Sequence, residues 1–403
     1  MPLNPQLYPF MSSPAIRRSS FTFNKRKIPI YSGAFWTPRQ RQSYNLHEIA
    51  YRACFKPALP KYFIEKYTQK GDIVYDPFSG RGTTVIEAAL SGRQIIANDV
   101  NPISRMLARG RLVIPDPAAL EERLTQIMAR PHRAENHRLS MFYHRKTMQE
   151  ILKLRQWLHE RQSNGTEDDL DRWIRMVATN RLTGHSPGFF SVYTLPPNQA
   201  VSRERQILIN KKRDQKPEYR NVQALILKKS LAMMRDLDAA ARKNLQSSAK
   251  TALFIDGDAG RTPRIRSNSV ALTITSPPFL DVVQYAKDNW LRCWFNSLDA
   301  DAIAAHITMA RTIEAWMEKM QQVFYELYRI TIKGGHVAFE TGEVHYGKTR
   351  LEHYVVEMGV KAGFTCDKIL INTHAFTKTA NIWGIRNNTH GTNSHRIVIF
   401  SKP

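Results

Sequence analysis

Asp76-Pro77-Phe78-Ser79-Gly80-Arg81-Gly82-Thr83-Thr84 follows a short apolar run, Asp72-Ile73-Val74-Tyr75, and precedes the helical pattern from Val85 to Ser91, which Gly92 ends. A second strand pattern, Arg93 to Ala97, closes on Asn98-Asp99. Strand, loop, helix and strand in this order form a βαβ unit, so parallel strands are predicted. An open parallel sheet binds ligands beyond the carboxyl ends of its strands. Gly80 and Gly82 permit backbone angles and a close approach that a Cβ would block. The helix starting near Thr83 adds free N–H groups. Asp76, at the strand end, can accept hydrogen bonds from an ammonium or from backbone donors. Asp99 lies about twenty residues beyond Gly80, where an acid that holds two ribose hydroxyls is expected. No Gly-Lys-Ser/Thr follows the loop, and it is not G-x-G-x-x-G, so a compact adenosyl group fits better than a dinucleotide.

A second string, Thr275-Ser276-Pro277-Pro278-Phe279, follows the strand pattern Val270 to Ile274. Ser276 Oγ and the Pro277 carbonyl can each accept a hydrogen from a planar amino group. Pro277 and Pro278 fix the backbone and remove competing N–H donors. Phe279 offers a flat face on which a base can stack, an interaction worth about 1–3 kcal/mol. A second Pro-Pro, in Leu195-Pro196-Pro197-Asn198, follows an irregular aromatic stretch rather than a strand.

Together the two strings resemble the DNA amino-methyltransferases, which move a methyl group from S-adenosylmethionine (SAM) to the exocyclic nitrogen of cytosine or adenine. The resemblance covers about residues 46–112 and 252–403 and implies an α/β, Rossmann-like SAM-dependent methyltransferase sheet. It implies that Asp76, Pro77, Phe78, Ser79, Gly80, Gly82 and Thr83 surround the methionine end of SAM and that Asp99 takes the ribose. It also implies that Asp258, in Asp256-Gly257-Asp258-Ala259, meets the adenine amino group. Phe55-Lys56-Pro57-Ala58-Leu59-Pro60 resembles the segment that covers the methionine, and equally reads as a helix start with Pro60 in its first turn. A Ser before Pro-Pro goes with cytosine N4 in such enzymes, and Asp or Asn with adenine N6. The implied catalytic set is Ser276, Pro277, Pro278 and Phe279. The glycine loop precedes the Ser-Pro-Pro string here, a permuted order relative to many cytosine-N4 enzymes. Methylation at cytosine C5 needs a cysteine after a proline, and Cys54, Cys293 and Cys366 do not follow one. Adenine-N6 transfer, an RNA substrate and a non-catalytic nucleic-acid-binding protein of the same fold stay open. A cognate restriction endonuclease is a partner the resemblance allows.

The bulk composition agrees. The 403 residues carry 59 Lys+Arg against 35 Asp+Glu, a net charge of +24 that favours a polyanionic partner, DNA above all. No apolar run spans a bilayer, and no signal-peptide pattern opens the chain. Three unpaired cysteines point to a reducing, cytoplasmic setting, and no cysteine-rich metal site is expected. Four regions are expected. Residues 1–45 read as a basic irregular arm, either disordered or gripping nucleic acid. Residues 46–112 are the first part of the α/β core and 250–403 the second. Residues 113–249 form a mainly helical insertion, the candidate target-recognition region, with helical patterns at Ala118 to Ala129, Lys146 to Glu160 and Val222 to Asn244. Within it, Phe189, Phe190 and Tyr193 precede the basic cluster Arg203, Arg205, Lys211, Lys212, Arg213 and Lys216. The aromatics could stack on bases and the cations could meet phosphates. The alternative is a solvated basic helix over core aromatics.

Overall fold

The computed structural model describes residues 16–33, 35, 43–51, 55–131, 139–194, 200–278, 285–307, 310, 312–341, 350–373 and 394–403, the side chains of 285–287 excepted. Among the described residues, nine strands form one sheet. They are β1 (Arg17–Phe23), β2 (Arg26–Gly33), β3 (Ile73–Asp76), β4 (Gln94–Asn98), β5 (Leu253–Ile255), β6 (Val270–Thr275), β7 (Thr331–Thr341), β8 (Thr365–Thr373) and β9 (Ser394–Ser401). Across the sheet the order is β1-β2-β8-β9-β7-β6-β3-β4-β5. β3 pairs in parallel with both β4 and β6, while β9 runs antiparallel between β7 and β8.

The helices are α1 (Ala58–Tyr67), α2 (Thr83–Leu90), α3 (Pro102–Arg109), α4 (Pro117–Ala129), α5 (Arg145–Ser163), α6 (Asp169–Arg181), α7 (Arg203–Lys212), α8 (Val222–Met234), α9 (Ala239–Thr251), α10 (Tyr285–Phe295), α11 (Ala300–His306), α12 (Ile313–Ile330) and α13 (Leu351–Lys361). Strand residues alternate between the two faces of the sheet, as a period of two requires. Val74, Ile95, Leu272, Ala338 and Ile399 join α1, α2, α3 and the helical insertion on one face. Tyr75, Ile96, Val337, Phe339 and Phe400 join α12 and α13 on the other. With helices on both faces, the protein has an α/β, Rossmann-like fold. Among the described residues, six helices, α4 to α9, make up the insertion between β4 and β5. The insertion shares its apolar core with the sheet: Leu120, Phe142, Ile151 and Trp173 belong to the same cluster as Val74 and Leu272.

Two expectations change. The arm read as irregular over residues 1–45 contributes a β-hairpin, because Ile28 and Ile30 alternate inward while Arg17, Arg18 and Lys27 stay exposed. β2 then extends the sheet by pairing in parallel with β8. The charges in this stretch hid a period-two pattern. The helical pattern from Val222 to Asn244 is two helices, because Asp238 caps a new start by accepting the Ala241 N–H at 2.7 Å. Among the described residues, no helix is long and apolar enough to cross a membrane.

Candidate active site at the β3–β6 switch point

Chain connections diverge on either side of β3 and β6, so a crevice opens beyond their carboxyl ends. The glycine loop follows β3 and the Ser-Pro-Pro string follows β6. Both reach one cavity of about 500 Å³. Pro77, Phe78, Gly80, Asp99, Asp258, Ser276 and Pro278 all line it, although they come from four separate stretches of chain.

Gly80 and Gly82 both have positive φ, +49° and +77°. Gly82 caps α2, and a Cβ there would stand 2.8 Å from Ala108 Cβ. Gly80 sits under the Tyr51 ring and donates its N–H to Asp99 Oδ2 at 2.8 Å. The other Asp99 oxygen accepts the Asn101 N–H at 2.9 Å. Each oxygen keeps a lone pair, so the carboxylate can still receive a vicinal diol. Burial pushes the Asp99 carboxyl up to about 6, against the pull of these two amides.

Asp76 behaves differently from the expectation. It is buried and does not line the cavity. It accepts the Thr275 hydroxyl at 2.7 Å and the Phe78 N–H at 3.2 Å, and so buckles the glycine loop to the strand that delivers Ser276. Burial raises its carboxyl to about 7. Ser79, Gly82 and Thr83 also stand behind the wall: Ser79 Oγ meets Ser104 Oγ at 2.8 Å, and Thr83 Oγ1 accepts Arg81 Nε at 3.0 Å. Pro277 is buried, with Ser276 and Pro278 on the wall. Phe279 and the second Pro-Pro lie outside the described residues. Phe55 to Pro60 leads into α1, and Tyr51, just before it, supplies the wall.

On the opposite wall Asp258 was expected, and its partners on α12 were not. Asp258 pairs with Lys319 at 2.6 Å and accepts the Gly260 N–H at 2.8 Å. Against the cost of partial burial, these contacts hold its carboxyl below the usual range. One helical turn earlier on α12, Trp316 Nε1 donates to the Pro278 carbonyl at 3.2 Å. The segment bearing Tyr51 is held by guanidiniums. Arg81 donates to the Ile49 carbonyl at 3.1 Å and the Phe55 carbonyl at 3.3 Å, and Arg292 of α10 donates to the Ala50 carbonyl at 2.9 Å. Arg81 occupies the variable position of the loop and points away from the cavity, so the string alone gave no sign of this role. Among the described residues, no group of three or more His, Cys, Asp or Glu side chains forms a metal site.

The nucleic-acid expectation does not hold for Phe189 and Phe190. Phe190 is fully buried and Phe189 nearly so, with Arg181 lying 4.0 Å above the Phe189 ring. They are core residues, because the turn after α6 folds inward. Tyr193 is partly buried under Arg213, 3.8 Å from its ring centre. Arg203, Arg205, Lys211, Lys212, Arg213 and Lys216 are exposed, as expected.

The profile of the DNA methylase family, covering N6 and N4 methyltransferases, matches residues 17–105. A Type II methyltransferase of Kocuria varians, M.MvaI, is 31% identical over 100 residues, 24% of this chain and 22% of the relative. Another, M.BsoBI of Geobacillus stearothermophilus, is 24% identical over 308 residues, 70% of this chain and 57% of the relative. Over these stretches the chain is similar to the DNA amino-methyltransferases. The matched stretches span less than two thirds of these relatives' lengths. A SAM-dependent methyltransferase structure from Methanosarcina mazei aligns with 84% of this chain and 96% of its own, at 9% identity and a TM-score of 0.33.

The lining of this cavity fits an adenosyl amino acid. A partly buried carboxylate with spare lone pairs faces in at Asp99, close backbone approach is open at Gly80, and a second acid stands at Asp258.

Proposed function

We propose that this protein methylates the exocyclic N4 amino group of cytosine in DNA, by direct transfer to a base swung out of the helix. One observation carries the reading: Gly80, Asp99 and Asp258 share a single cavity with Ser276 and Pro278. Asp99 would hold the ribose hydroxyls, Asp258 the adenine amino group, and the Phe78 to Gly80 backbone the methionine end. Bound there, SAM supplies an electrophilic methyl group on a sulfonium.

An exocyclic amino group is a poor nucleophile, because its lone pair is delocalised into the ring. Ser276 Oγ and the Pro277 carbonyl accept its two hydrogens, which draws the nitrogen toward tetrahedral geometry and aims the lone pair. No covalent enzyme intermediate is required, and catalysis rests on orientation and electrostatics. Asp76 sets the distance between the two halves by joining Thr275 to the glycine loop. Trp316 holds the Pro278 carbonyl and so fixes the peptide beside the clamp. Extruding the base costs a few kcal/mol, which phosphate contacts from a chain of charge +24 offset.

Ser276 before Pro277 supports cytosine over adenine. The Type II relatives support a place in restriction–modification, with a cognate endonuclease as partner. The test is methyl incorporation from labelled SAM into DNA and, separately, RNA. Incorporation into DNA that is lost in Ser276→Ala supports the reading. Incorporation that survives the substitution overturns the clamp, and label in RNA alone overturns the substrate.

A further inference from the structure

The helix α7 shows two unlike faces. Gln206 is fully buried, and its side-chain amide donates to the Tyr193 carbonyl at 3.0 Å and to Asn210 Oδ1 at 2.8 Å. Asn210 in turn donates to the Met141 carbonyl at 2.8 Å. These amides fasten one side of the helix. The other side presents Ile207 at 52% exposure and Leu208 at 56%, between Arg203 and Arg205 at one end and Lys211 and Lys212 at the other. Single exposed aliphatics are ordinary. Ile209 packs partly against the core, which leaves Ile207 and Leu208 as two adjacent exposed aliphatics among basic and polar side chains, and these call for a cover.

The position of α7 narrows the choice of cover. Ala200 N–H donates to the Asp288 carbonyl at 3.1 Å, and Trp290 Nε1 donates to the Val201 carbonyl at 3.2 Å. Both partners lie on α10, whose Arg292 holds Ala50 beside Tyr51 of the cavity wall. So the residues that lead into α7 are tied to the helix that holds the segment bearing Tyr51 of the cavity wall. From Arg203 to Lys216, six cations face two acids, Glu204 and Asp214.

We propose that α7 is the target-reading helix and lies in the major groove of duplex DNA beside the base to be methylated. This rests on the DNA reading above. A helix about 10–12 Å across fits a groove about 12 Å wide, and ten residues reach about 15 Å, the length of about four base pairs. Lys211 and Lys212 meet phosphates, which sets position without reading sequence. Ile207 and Leu208 meet the apolar edges that only thymine methyl groups offer in that groove, and this contact carries sequence preference.

Two double variants separate these roles: Ile207→Ala with Leu208→Ala, and Lys211→Gln with Lys212→Gln. Each is tested by sequencing the methylated sites of a randomised DNA library, by DNA affinity at several salt concentrations, by SAM affinity and by light scattering. The lysine variant should bind all sequences more weakly, and its slope of log affinity against log salt should fall by about two. The aliphatic variant should lose discrimination at one or two positions by about tenfold, with SAM affinity and melting temperature unchanged. An unchanged site preference in the aliphatic variant overturns the proposal. So does a change of oligomeric state with preference intact, which would make the pair a protein contact. Failure of the unaltered protein to methylate any DNA overturns the DNA reading itself, and the role of α7 with it.

Discussion

Around the cavity, polar groups on the wall are also tied from behind. Asp99 takes two backbone amides, Asp258 a lysine, and the Pro278 carbonyl an indole. On α7 the arrangement is reversed. Two side-chain amides hold one edge of the helix, and its aliphatic and cationic side chains face solvent. The first region is organised before anything binds, as a site for a small cofactor and a single base requires. The second, in the role proposed for α7, is completed by a partner. A catalytic site is therefore built from buried contacts, while a surface that reads a long polymer leaves its contacts unmade.

The largest expected effect sharpens this contrast within the insertion. Phe190→Ala should cost about 3–5 kcal/mol of stability, read by denaturant unfolding, because it empties a fully buried aromatic site. Weaker DNA binding at unchanged stability would instead return Phe190 to the surface that reads DNA. Next comes Ser276→Ala, which should lower turnover about 100- to 1,000-fold, the scale seen when one donor or acceptor at a reacting centre is removed. SAM affinity, measured by calorimetry, should stay within about twofold, since Ser276 serves the base.

Asp99→Ala should weaken SAM binding by tenfold or more, on the scale of about 1.5–3 kcal/mol for hydrogen bonds to a charged group. Unchanged affinity would remove Asp99 from the ribose. The same residue gives a pH signature. Its raised pKa, about 6, means that the carboxyl is protonated below that value and loses charge and acceptor capacity together. SAM affinity should be level above about pH 7.5 and weaken by up to about tenfold per unit as pH falls through 6. Asp99→Asn should erase that step and leave only what Asp76, titrating at about 7, contributes. The smallest effect is expected from Trp316→Phe, which keeps the ring and removes the N–H. Loss of one neutral hydrogen bond, about 1 kcal/mol, should reduce kcat about fivefold and hardly alter the KM for SAM. An equal fall in SAM affinity would place Trp316 at the cofactor instead.

The sheet and the cavity were legible for a local reason. A strand end, two glycines and a helix start lie within ten residues, and the physics of that turn needs no distant partner. Asp99 and Ser276 could be placed because each ends a strand, and parallel strands end on one side of the sheet. Other features depended on contacts far apart in sequence. Asp76 has the type and position of a ligand, and only its bond to Thr275, across the switch point, makes it a buckle. Phe189 and Phe190 looked available because aromatics beside cations suit nucleic acid, but the fold turns them inward. Trp316 and Lys319 gave no signal, since a tryptophan and a lysine one turn apart on a long amphipathic helix read as packing and solvation. The hairpin at residues 17–33 escaped because its charges concealed its period.

At the centre stands the proposed methyl transfer to the N4 amino group of cytosine in DNA through the Ser276 clamp. Its most direct test is to incubate the purified protein with SAM and mixed-sequence DNA, digest the product to nucleosides and identify them by mass spectrometry. N4-methylcytosine, absent when Ser276→Ala replaces the unaltered protein, is the predicted result. N6-methyladenine in its place, or N4-methylcytosine produced equally well by Ser276→Ala, would contradict it.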